Sequence, residues 1–438
     1  MDTKSISIAA GGDILITRRI PAENPGIKPI REFMERAHVR LANLETTITD
    51  GSCFPSAYSG GTWLTSSRGC LEDLHLYGFD MLALANNHSM DYSYEGLAMT
   101  EQNLEESGFA HGGTGKNLYE ASRPVMLETS CGRVGIINIC STFENAARAG
   151  AQSERQPGRP GLNPLRVNNR YRITKEHGEL LKKLALATGI NDLREKHRSQ
   201  GFVPPLPQGT LEFGTSLFEL VETEEEEGRI SYPDARDLKR TEESIREALF
   251  SCQAVIVMVH SHEIKRDQEH EADYFLETFA RACIDAGASA VVGSGTHQIK
   301  GIEMYKGCPI FYSLGNFMFE NEYVTLLPPD YMEKYGLSIH ASGADGIAKR
   351  SSQASHSLYD TKEVYQSLIP YFEIKSGTCS HIELLPIELG LSRDVWEKNL
   401  PYPADQTEAL SILEYLNMAC EPYGTKWKYK EGKFVLDC

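Results

Sequence analysis

Five short polar clusters, each following a mostly apolar run, carry residue types that bind metal ions and transfer protons. They are Gly11-Gly12-Asp13, Asn43-Leu44-Glu45, Asn86-Asn87-His88, His260-Ser261-His262-Glu263 and Gly293-Ser294-Gly295-Thr296-His297. The runs before them, residues 6–10, 39–42, 81–85, 254–259 and 288–292, are typical of buried strands. In a layered α/β domain the ends of such strands converge on one crevice. Asp, Glu, Asn and His side chains that meet there would make a metal site.

Each cluster also has an explanation that involves no ligand. Asp13 after two glycines is equally compatible with a helix cap, and Glu45 with an ordinary loop residue. Asn87 and His88 are harder to explain in this way, because consecutive amides and an imidazole at a strand end leave polar groups to satisfy near the core. His297 follows a glycine-rich turn that lets backbone and side chain approach a ligand closely. Taken together, the clusters favour one shared site.

The charge balance narrows the range of partners. The chain of 438 residues has 61 acidic and 44 basic residues, and its formal charge of -17 argues against nucleic acid or an anionic membrane bound by general electrostatics. Ten cysteines form no Cys-x-x-Cys pair, which favours core thiols in a reducing cytosol over a disulfide framework. No secretory signal or spanning segment is visible, so we expect a cytoplasmic protein without a membrane partner. The oligomeric state stays open.

Strands and helices alternate along the chain except over residues 145–237. We expect helices at residues 29–37, 71–77, 94–107, 238–251, 271–286, 362–369 and 404–419, a hairpin of residues 124–128 and 133–140, and a strand at 381–387. Prolines at 157–164 and 204–207 flank a charged helical stretch, so residues 145–237 are predicted to be an insertion that caps the crevice. We divide the chain into a domain of residues 1–340 and a C-terminal extension of residues 341–438 packed on it.

The same clusters carry a resemblance to a known family. Residues 11–14, 43–45, 86–91 and 260–263, together with the run 282–317 that ends in Tyr312-Ser313-Leu314-Gly315-Asn316-Phe317, resemble the CapA family of capsule and poly-γ-glutamate biosynthesis proteins. The resemblance covers most of the chain. It implies the α/β fold of the calcineurin-like metallophosphatases, a four-layered α/β/β/α sandwich with metal ions at the sheet edge, here with a helical insertion and a C-terminal extension.

The resemblance also implies a ligand set. By position, the residues that match the family's metal motifs are Asp13, Glu45, Asn87, His260 and His297, with His262 as a further candidate. Glu45 takes the place of the carboxylate that bridges two cations, and His88 the place of a catalytic histidine. We therefore expect one or two divalent ions as cofactor. Oxygen ligands with imidazole suit manganese, magnesium, calcium, iron or zinc, and the sequence does not rank them.

Two positions depart from the metallophosphatase pattern. Those enzymes have Asp-x-His at the first motif, whereas Ile14 and Leu15 follow Asp13 here, so one ligand is missing. Close relatives read Gly-His-Gly-Pro-His at the last motif, where this chain has Ser294 in place of the first histidine. Fewer imidazoles are expected to hold at least one metal more weakly and to impair phosphoester hydrolysis. Many capsule-type members also begin with a membrane anchor, which we expect this protein to lack.

The family resemblance reaches cytosolic members that modify ribosomally made peptides, including metal-dependent epimerases of lasso-peptide precursors. Inverting a peptidyl Cα needs a cation to polarise the neighbouring carbonyl, a base on one face and an acid on the other. Asp13 and His297, on different loops of one crevice, are predicted to be this acid and base. The first hypothesis is therefore Cα epimerisation of a residue in a peptide substrate.

Two other hypotheses stay open. One is metal-dependent hydrolysis of a phosphoester, peptide or amide, with His88 as proton donor. The other is a non-catalytic binding or assembly protein for an anionic polymer such as poly-γ-glutamate, against which the net charge of -17 speaks unless cations bridge. Epimerisation predicts solvent hydrogen at Cα, whereas hydrolysis predicts solvent oxygen in the product.

Overall fold

The first large β-sheet is built around Ile6–Leu15, whose residues are all buried. The computed structural model describes residues 5–353 and 358–437. In order across this sheet the strands are Trp427–Lys430, Lys433–Leu436, Thr378–Glu388, Gln366–Lys375, Ile6–Leu15, Val39–Leu44, Met81–Ala83 and Ala110–Gly112. Two further strands pair beside this order: Asn316–Phe319 with Ile6–Leu15, and Tyr402–Pro403 with Thr378–Glu388. Ile6–Leu15, Val39–Leu44 and Met81–Ala83 are parallel, so their carboxyl ends lie at one edge.

The second large sheet faces the first. Its strands, in order, are Ile302–Tyr305, Cys308–Phe311, Ala290–Gly295, Ala254–Ser261, Gly132–Cys140 and Val125–Thr129. Ala254–Ser261 is parallel to both of its neighbours, so the carboxyl ends of these central strands also share an edge. Val125–Thr129 and Gly132–Cys140 form the hairpin predicted from the sequence.

Side chains that alternate between the faces of these strands build separate cores. Between the sheets, Ile8 of the first sheet and Ile256 of the second belong to one buried cluster. A second cluster joins the outer face of the first sheet to helix Ile27–Met34. A third joins the outer face of the second sheet to helices Ala235–Leu249 and Tyr274–Asp285. The expected four-layered α/β/β/α fold is therefore confirmed.

The helices follow local sequence signals. They are Ile27–Met34, Arg68–Asp73, Ser93–Glu106, Leu118–Ser122, Lys175–Thr188, Asp192–Ser199, Ala235–Leu249, Tyr274–Asp285, Pro329–Lys334, Gly343–Ser352 and Gln406–Cys420. Ala235–Leu249 is representative: the Asp234 side chain accepts a hydrogen bond from the Arg236 N–H, and Ile245 and Ala248 lie on the buried face. Across the described residues, no helix combines the length and apolar composition needed to cross a bilayer.

The predicted insertion contains a small sheet of its own. Its strands, in order, are Thr210–Phe213, Ser216–Val221, Val167–Thr174 and Gly228–Pro233. Arg229 ties this sheet to the core, since its Nη1 donates to the Ile264 carbonyl at 3.1 Å and its Nη2 contacts the Asp273 carboxylate. The insertion therefore lies beside the loop that follows His262. Its role as a cap stays a prediction.

The prediction of a helix at residues 362–369 is wrong. Only Lys362–Tyr365 forms a short 3-10 turn, and Gln366–Lys375 is a strand paired antiparallel with both Ile6–Leu15 and Thr378–Glu388. Pairing inside the sheet overrides the local helical spacing, and Pro370 disfavours helical backbone angles at the residue before it, Ile369. The C-terminal segment thus extends the first sheet. The strand and helix predicted after it, now Thr378–Glu388 and Gln406–Cys420, are confirmed.

Candidate metal centre

The structure brings every predicted site residue to the shared carboxyl edge of the two sheets. The first sheet contributes Asp13 inside strand Ile6–Leu15, Glu45 after Val39–Leu44, and Asn87 and His88 after Met81–Ala83. The second sheet contributes His260 inside Ala254–Ser261, His262 after that strand, and His297 after Ala290–Gly295. Asp13 is therefore in a strand and not in a helix cap. His262 is the most exposed of these side chains, at 27%, and the others are buried.

Asp13 is held from both sides. Its Oδ1 accepts a hydrogen bond from Asn43 Nδ2 at 2.7 Å, and its Oδ2 accepts one from the Gly295 N–H at 2.8 Å. The chain reaches this position through Gly12, where a Cβ would lie 1.8 Å from the carbonyl oxygen of Gly315. Burial alone would raise the pKa of Asp13, but the hydrogen bond and charge of His260 outweigh it and hold the pKa well below its ordinary value. Asp13 is thus an ionised, fixed carboxylate.

Glu45 lies at the centre of the cluster. Both of its carboxylate oxygens are buried, and neither has a hydrogen-bond partner among the described residues. Its Oε1 is 3.6 Å from Nε2 of His260 and 3.7 Å from Nε2 of His262, and its Oε2 is 4.0 Å from Nδ1 of His297. Burial, and next the charge of Asp13, raise the pKa of Glu45. Because an unpaired buried carboxylate is costly, the natural partner for these two oxygens is a cation.

The donor atoms form overlapping groups that fit divalent cations. Asp13, Glu45 and His260 make one group, and Glu45, His262 and His297 make the other, with the donor atoms of each group within 4.8 Å of one another. Glu45 belongs to both groups, as expected for a bridging carboxylate. Asn87 adjoins them, since its Oδ1 lies 2.7 Å from Nε2 of His260.

The two histidines of the second sheet are arranged by their neighbours. Nδ1 of His260 lies 3.0 Å from Ser294 Oγ and 3.2 Å from Asn43 Nδ2. Ser294 therefore contacts the nitrogen of the His260 ring that faces away from Glu45 Oε1. Burial, and next the charge of His260, lower the pKa of His262, and its ring is neutral as a metal ligand must be. The His262 N–H donates to Thr142 Oγ1 at 2.8 Å, which fixes its backbone.

His297 is placed by a backbone conformation that non-glycine residues rarely adopt. Its φ is +59°, in the left-handed region, and such strain is common where a side chain must point into a site. Its Nδ1 lies 2.9 Å from Asn316 Oδ1, while Asn316 Nδ2 donates to the Val364 carbonyl at 2.9 Å. Burial lowers the pKa of His297, which favours the neutral ring.

The two ring nitrogens of His88 face different groups, one a carboxylate and the other the candidate metal centre. Its Nδ1 lies 2.6 Å from Asp91 Oδ2, and its Nε2 is 3.9 Å from Glu45 Oε1. Asp91 is itself held by the N–H groups of Gly60 at 3.0 Å and Leu64 at 2.8 Å. Burial would lower the pKa of His88, but the charge and hydrogen bond of Asp91 outweigh it and raise the pKa. A histidine oriented in this way can donate a proton.

A cavity of about 350 Å³ opens above the cluster. It is lined by Gly60, Gly61, Thr62, Asn87, His88, His262, His297, Asn321, Arg350, Ser351, Leu358 and Tyr359. The metal-binding groups therefore face a space large enough for a small part of a substrate, with Asp13, Glu45 and His260 buried beneath it.

Some residues of the site were not identified from the sequence. Asn43 and Asn86 belong to two of the polar clusters found in the sequence, but neither was predicted to be a site residue. Asn86 Nδ2 donates to Asn43 Oδ1 at 3.1 Å. Asp91 is three residues after His88, a spacing that could have marked it as a partner. Asn316 lies in the motif run ending at Phe317. Arg350 has no local signal at all, because it reaches the cavity only through the packing of a distant helix.

Comparison with known proteins identifies the family. The family model "Bacterial capsule synthesis protein PGA_cap" matches residues 7–321. The chain belongs to this family. Two uncharacterised proteins of Sinorhizobium fredii, y4sH and y4uA, are each 31% identical over 434 residues, covering 96% of this chain and 90% of theirs. The capsule biosynthesis protein CapA of Bacillus anthracis is 23% identical over 295 residues, covering 66% of this chain and 53% of its own.

Proposed function

We propose that this PGA_cap family member is a metal-dependent enzyme whose cations share Glu45 and which acts on a peptide substrate. The observation that carries the proposal is the Glu45 carboxylate. It is wholly buried, has no hydrogen-bond donor among the described residues, and has four imidazole nitrogens within 4.0 Å, those of His88, His260, His262 and His297. When bound, divalent cations at this place supply positive charge that polarises a carbonyl or phosphoryl oxygen. The residues that would hold them are Asp13, Glu45, Asn87, His260, His262 and His297.

The reaction that we propose is inversion of a peptidyl Cα. Its C–H bond breaks on one face, a base takes that proton, and an acid delivers a proton to the other face. We assign these roles to Asp13 and His297, which come from different sheets and meet at the same centre. Asn43 and Asn316 hold the two side chains in place. Pre-positioned groups of this kind lower the cost of orienting the reactants.

A second candidate is hydrolysis of an amide or phosphoester. The specific observation in its favour is the buried His88–Asp91 pair, with 2.6 Å between Nδ1 and Oδ2. His88 lines the cavity and has its Nε2 directed at the metal centre. In this reaction His88 would protonate the leaving group while water attacks the carbonyl or phosphoryl centre.

Isotope incorporation separates the two reactions. The manganese-loaded protein is incubated with peptides encoded beside its gene and with poly-γ-glutamate, once in heavy water and once in H₂¹⁸O. We expect deuterium at one Cα together with a D-residue, and no cleavage. Cleavage with ¹⁸O in the product and no Cα exchange would establish the hydrolase. Binding of the polymer that is lost on chelation, without any turnover, would establish a binding protein.

We also propose that the protein acts in the cytoplasm. The supporting observation is that all of the cysteines in the described part of the chain are free: Cys53, Cys70, Cys131, Cys140, Cys252, Cys283, Cys308, Cys379 and Cys420. Free thiols, most of them buried, are the usual state of cysteine in a reducing compartment. Fractionation of cells that produce the protein would test this location.

A further inference from the structure

We propose that Arg350 makes the cavity above the metal centre a recognition site for a substrate carboxylate. The substrate would then be an acidic peptide whose carboxylate lies within one or two residues of the reacting carbon. This inference rests on the proposed function, since it assigns the second end of the same cavity.

Arg350 supplies the fixed positive charge of the cavity wall. The other described residues on that wall are uncharged side chains, glycines and histidines. No described carboxylate forms an ion pair with the Arg350 guanidinium, which is half-buried. A partly buried cation without an anion beside it is unfavourable, and a bound carboxylate supplies that anion.

Hydroxyl groups hold the guanidinium in one orientation. Nη1 of Arg350 donates to Thr62 Oγ1 at 2.6 Å, and Nη2 donates to Tyr359 Oη at 2.7 Å. These partners are neutral, so they fix the group without cancelling its charge. The planar guanidinium matches the geometry of a carboxylate, and a group that is already ordered loses little conformational freedom on binding.

The helix that carries Arg350 is itself well anchored. Gly343–Ser352 begins at a capping box in which Ser342 and Asp345 satisfy each other's backbone N–H groups. Ile347, one turn before Arg350, packs in a buried cluster with Trp63. The position of the guanidinium is therefore set by the fold and not by a mobile surface side chain.

The shared cavity places the bound carboxylate close to the reacting atoms. The cavity has a volume of about 350 Å³, and an extended residue spans about 3.3–3.6 Å. His88 and His297 line the same cavity as Arg350. A carboxylate held by Arg350 and a carbonyl held near the histidines therefore belong to the same residue or to close neighbours. A peptide C-terminus and an acidic side chain both meet this condition.

Binding of matched probes tests the subsite without requiring turnover. N-acetylglycylglycine and its C-terminal amide, which differ only in the terminal group, are titrated into the manganese-loaded protein by calorimetry. We expect the acid to bind at least tenfold more tightly than the amide. Arg350→Gln should abolish most of this preference, a loss of about 10- to 100-fold for a charge-assisted pair. N-acetylglutamate amide, compared with N-acetylglutamine amide, distinguishes a side-chain carboxylate from a C-terminal one.

The matched control is Arg393→Gln, which makes the same substitution in a separate cavity lined by Glu388 and Pro403. It should keep the full preference. Arg350→Lys should keep part of it, because the charge remains while the planar fork is lost. If thermal unfolding shows that Arg350→Gln does not fold, Thr62→Val takes its place. This variant should weaken binding of the acid several-fold and leave binding of the amide unchanged.

Three results would overturn the proposal. The acid and amide could bind the wild type equally. The preference could survive in Arg350→Gln and vanish in Glu45→Gln, which would place the carboxylate on the cations. Inorganic phosphate could bind through Arg350 while no carboxylate probe does, which would indicate a phosphoester substrate. A carboxylate preference that depends on Arg350, in a protein that turns over no peptide, would support the subsite and refute the proposed reaction.

Discussion

Nε2 of His260 and Nε2 of His262 face each other at 3.1 Å. Glu45 Oε1 lies 3.6 Å from the first nitrogen and 3.7 Å from the second. These two imidazole nitrogens and a carboxylate oxygen that has no donor among the described residues converge on one small volume. A divalent cation satisfies all of them, whereas a proton can satisfy only one pair.

Metal content is therefore the first prediction. The wild type should bind up to two divalent ions per chain, and Glu45→Gln should lose both, because Glu45 is common to both donor groups. His260→Ala should lose the ion of the Asp13 group and keep the other more weakly. Elemental analysis of the purified proteins gives the stoichiometry.

The control for this measurement is Glu303→Gln, which removes the same charge from a buried glutamate paired with Arg281 and Tyr312 outside the centre. It should bind metal as the wild type does. Equal metal content in the wild type, Glu45→Gln and His260→Ala would exclude the centre described above.

The second prediction concerns Ser294. Its Oγ lies 3.0 Å from Nδ1 of His260, and that nitrogen is 3.5 Å from Asp13 Oδ1. An imidazole at this position would add a donor beside the Asp13 group. We expect Ser294→His to tighten metal binding or to raise hydrolysis of generic phosphodiesters or peptides. Ser294→Ala is the control, because it changes the side chain without adding an imidazole. Unchanged metal affinity and unchanged hydrolysis in Ser294→His would show that the serine at this position affects neither property.

The third prediction separates the proposed acid and base from the hydrolytic donor. Asp13→Asn and His297→Gln should each abolish inversion, a loss of about 10²–10⁴-fold for an acid-base group. A variant that keeps one base should still exchange the Cα hydrogen with deuterium on one face. His88→Gln should leave exchange largely intact.

Mass spectrometry in heavy water, with metal content measured in parallel, provides the test. If Asp13 and His297 are only ligands, both variants lose metal and exchange together. If His88→Gln alone stops turnover while Asp13→Asn and His297→Gln retain it, the hydrolytic assignment replaces the epimerase.

The fourth prediction concerns stability. The Asp237 carboxylate is wholly buried and receives hydrogen bonds from Arg166 Nε at 2.7 Å and Arg240 Nη1 at 2.6 Å. It joins the start of the insertion to helix Ala235–Leu249. Asp237→Asn should lower the free energy of unfolding by about 3 kcal/mol, because it leaves buried donors with a weaker partner. Glu243→Gln, on the exposed face of the same helix, should change it by less than about 0.5 kcal/mol.

The pH dependence of this effect has a definite sign. Burial would raise the pKa of Asp237, but the hydrogen bond of Arg166 and the charge of Arg240 outweigh it, and the folded-state pKa lies below the ordinary value of 3.8. The stabilisation is therefore complete above that ordinary value and is lost as the pH falls through the folded-state pKa. Chemical unfolding should show a constant difference between wild type and Asp237→Asn from about pH 8 to pH 5, and a smaller one below about pH 4. A difference that grows on acidification would contradict this assignment.

The fold and most of the centre could be predicted from the sequence because their signals are local. Each strand run ends in its own polar cluster, so the clusters meet wherever parallel strands share an edge. Asp13, Glu45 and His297 could be placed at this edge without coordinates. The helix predicted at residues 362–369 failed because Gln366–Lys375 pairs with Ile6–Leu15, a partner about 360 residues earlier in the chain.

The sequence by itself determined the family, the layered α/β class and the residue types at the sheet edge, since all of these follow from short-range patterns of apolar and polar residues. Only the tertiary structure decided which atoms face one another. It alone shows that Glu45 has no donor among the described residues and that Asn316 orients His297. It alone places Arg350 in the wall of the cavity that His88 and His297 also line. These relationships depend on packing between segments far apart in the chain, where a shift of a single side chain changes every distance, and no local pattern encodes such distances.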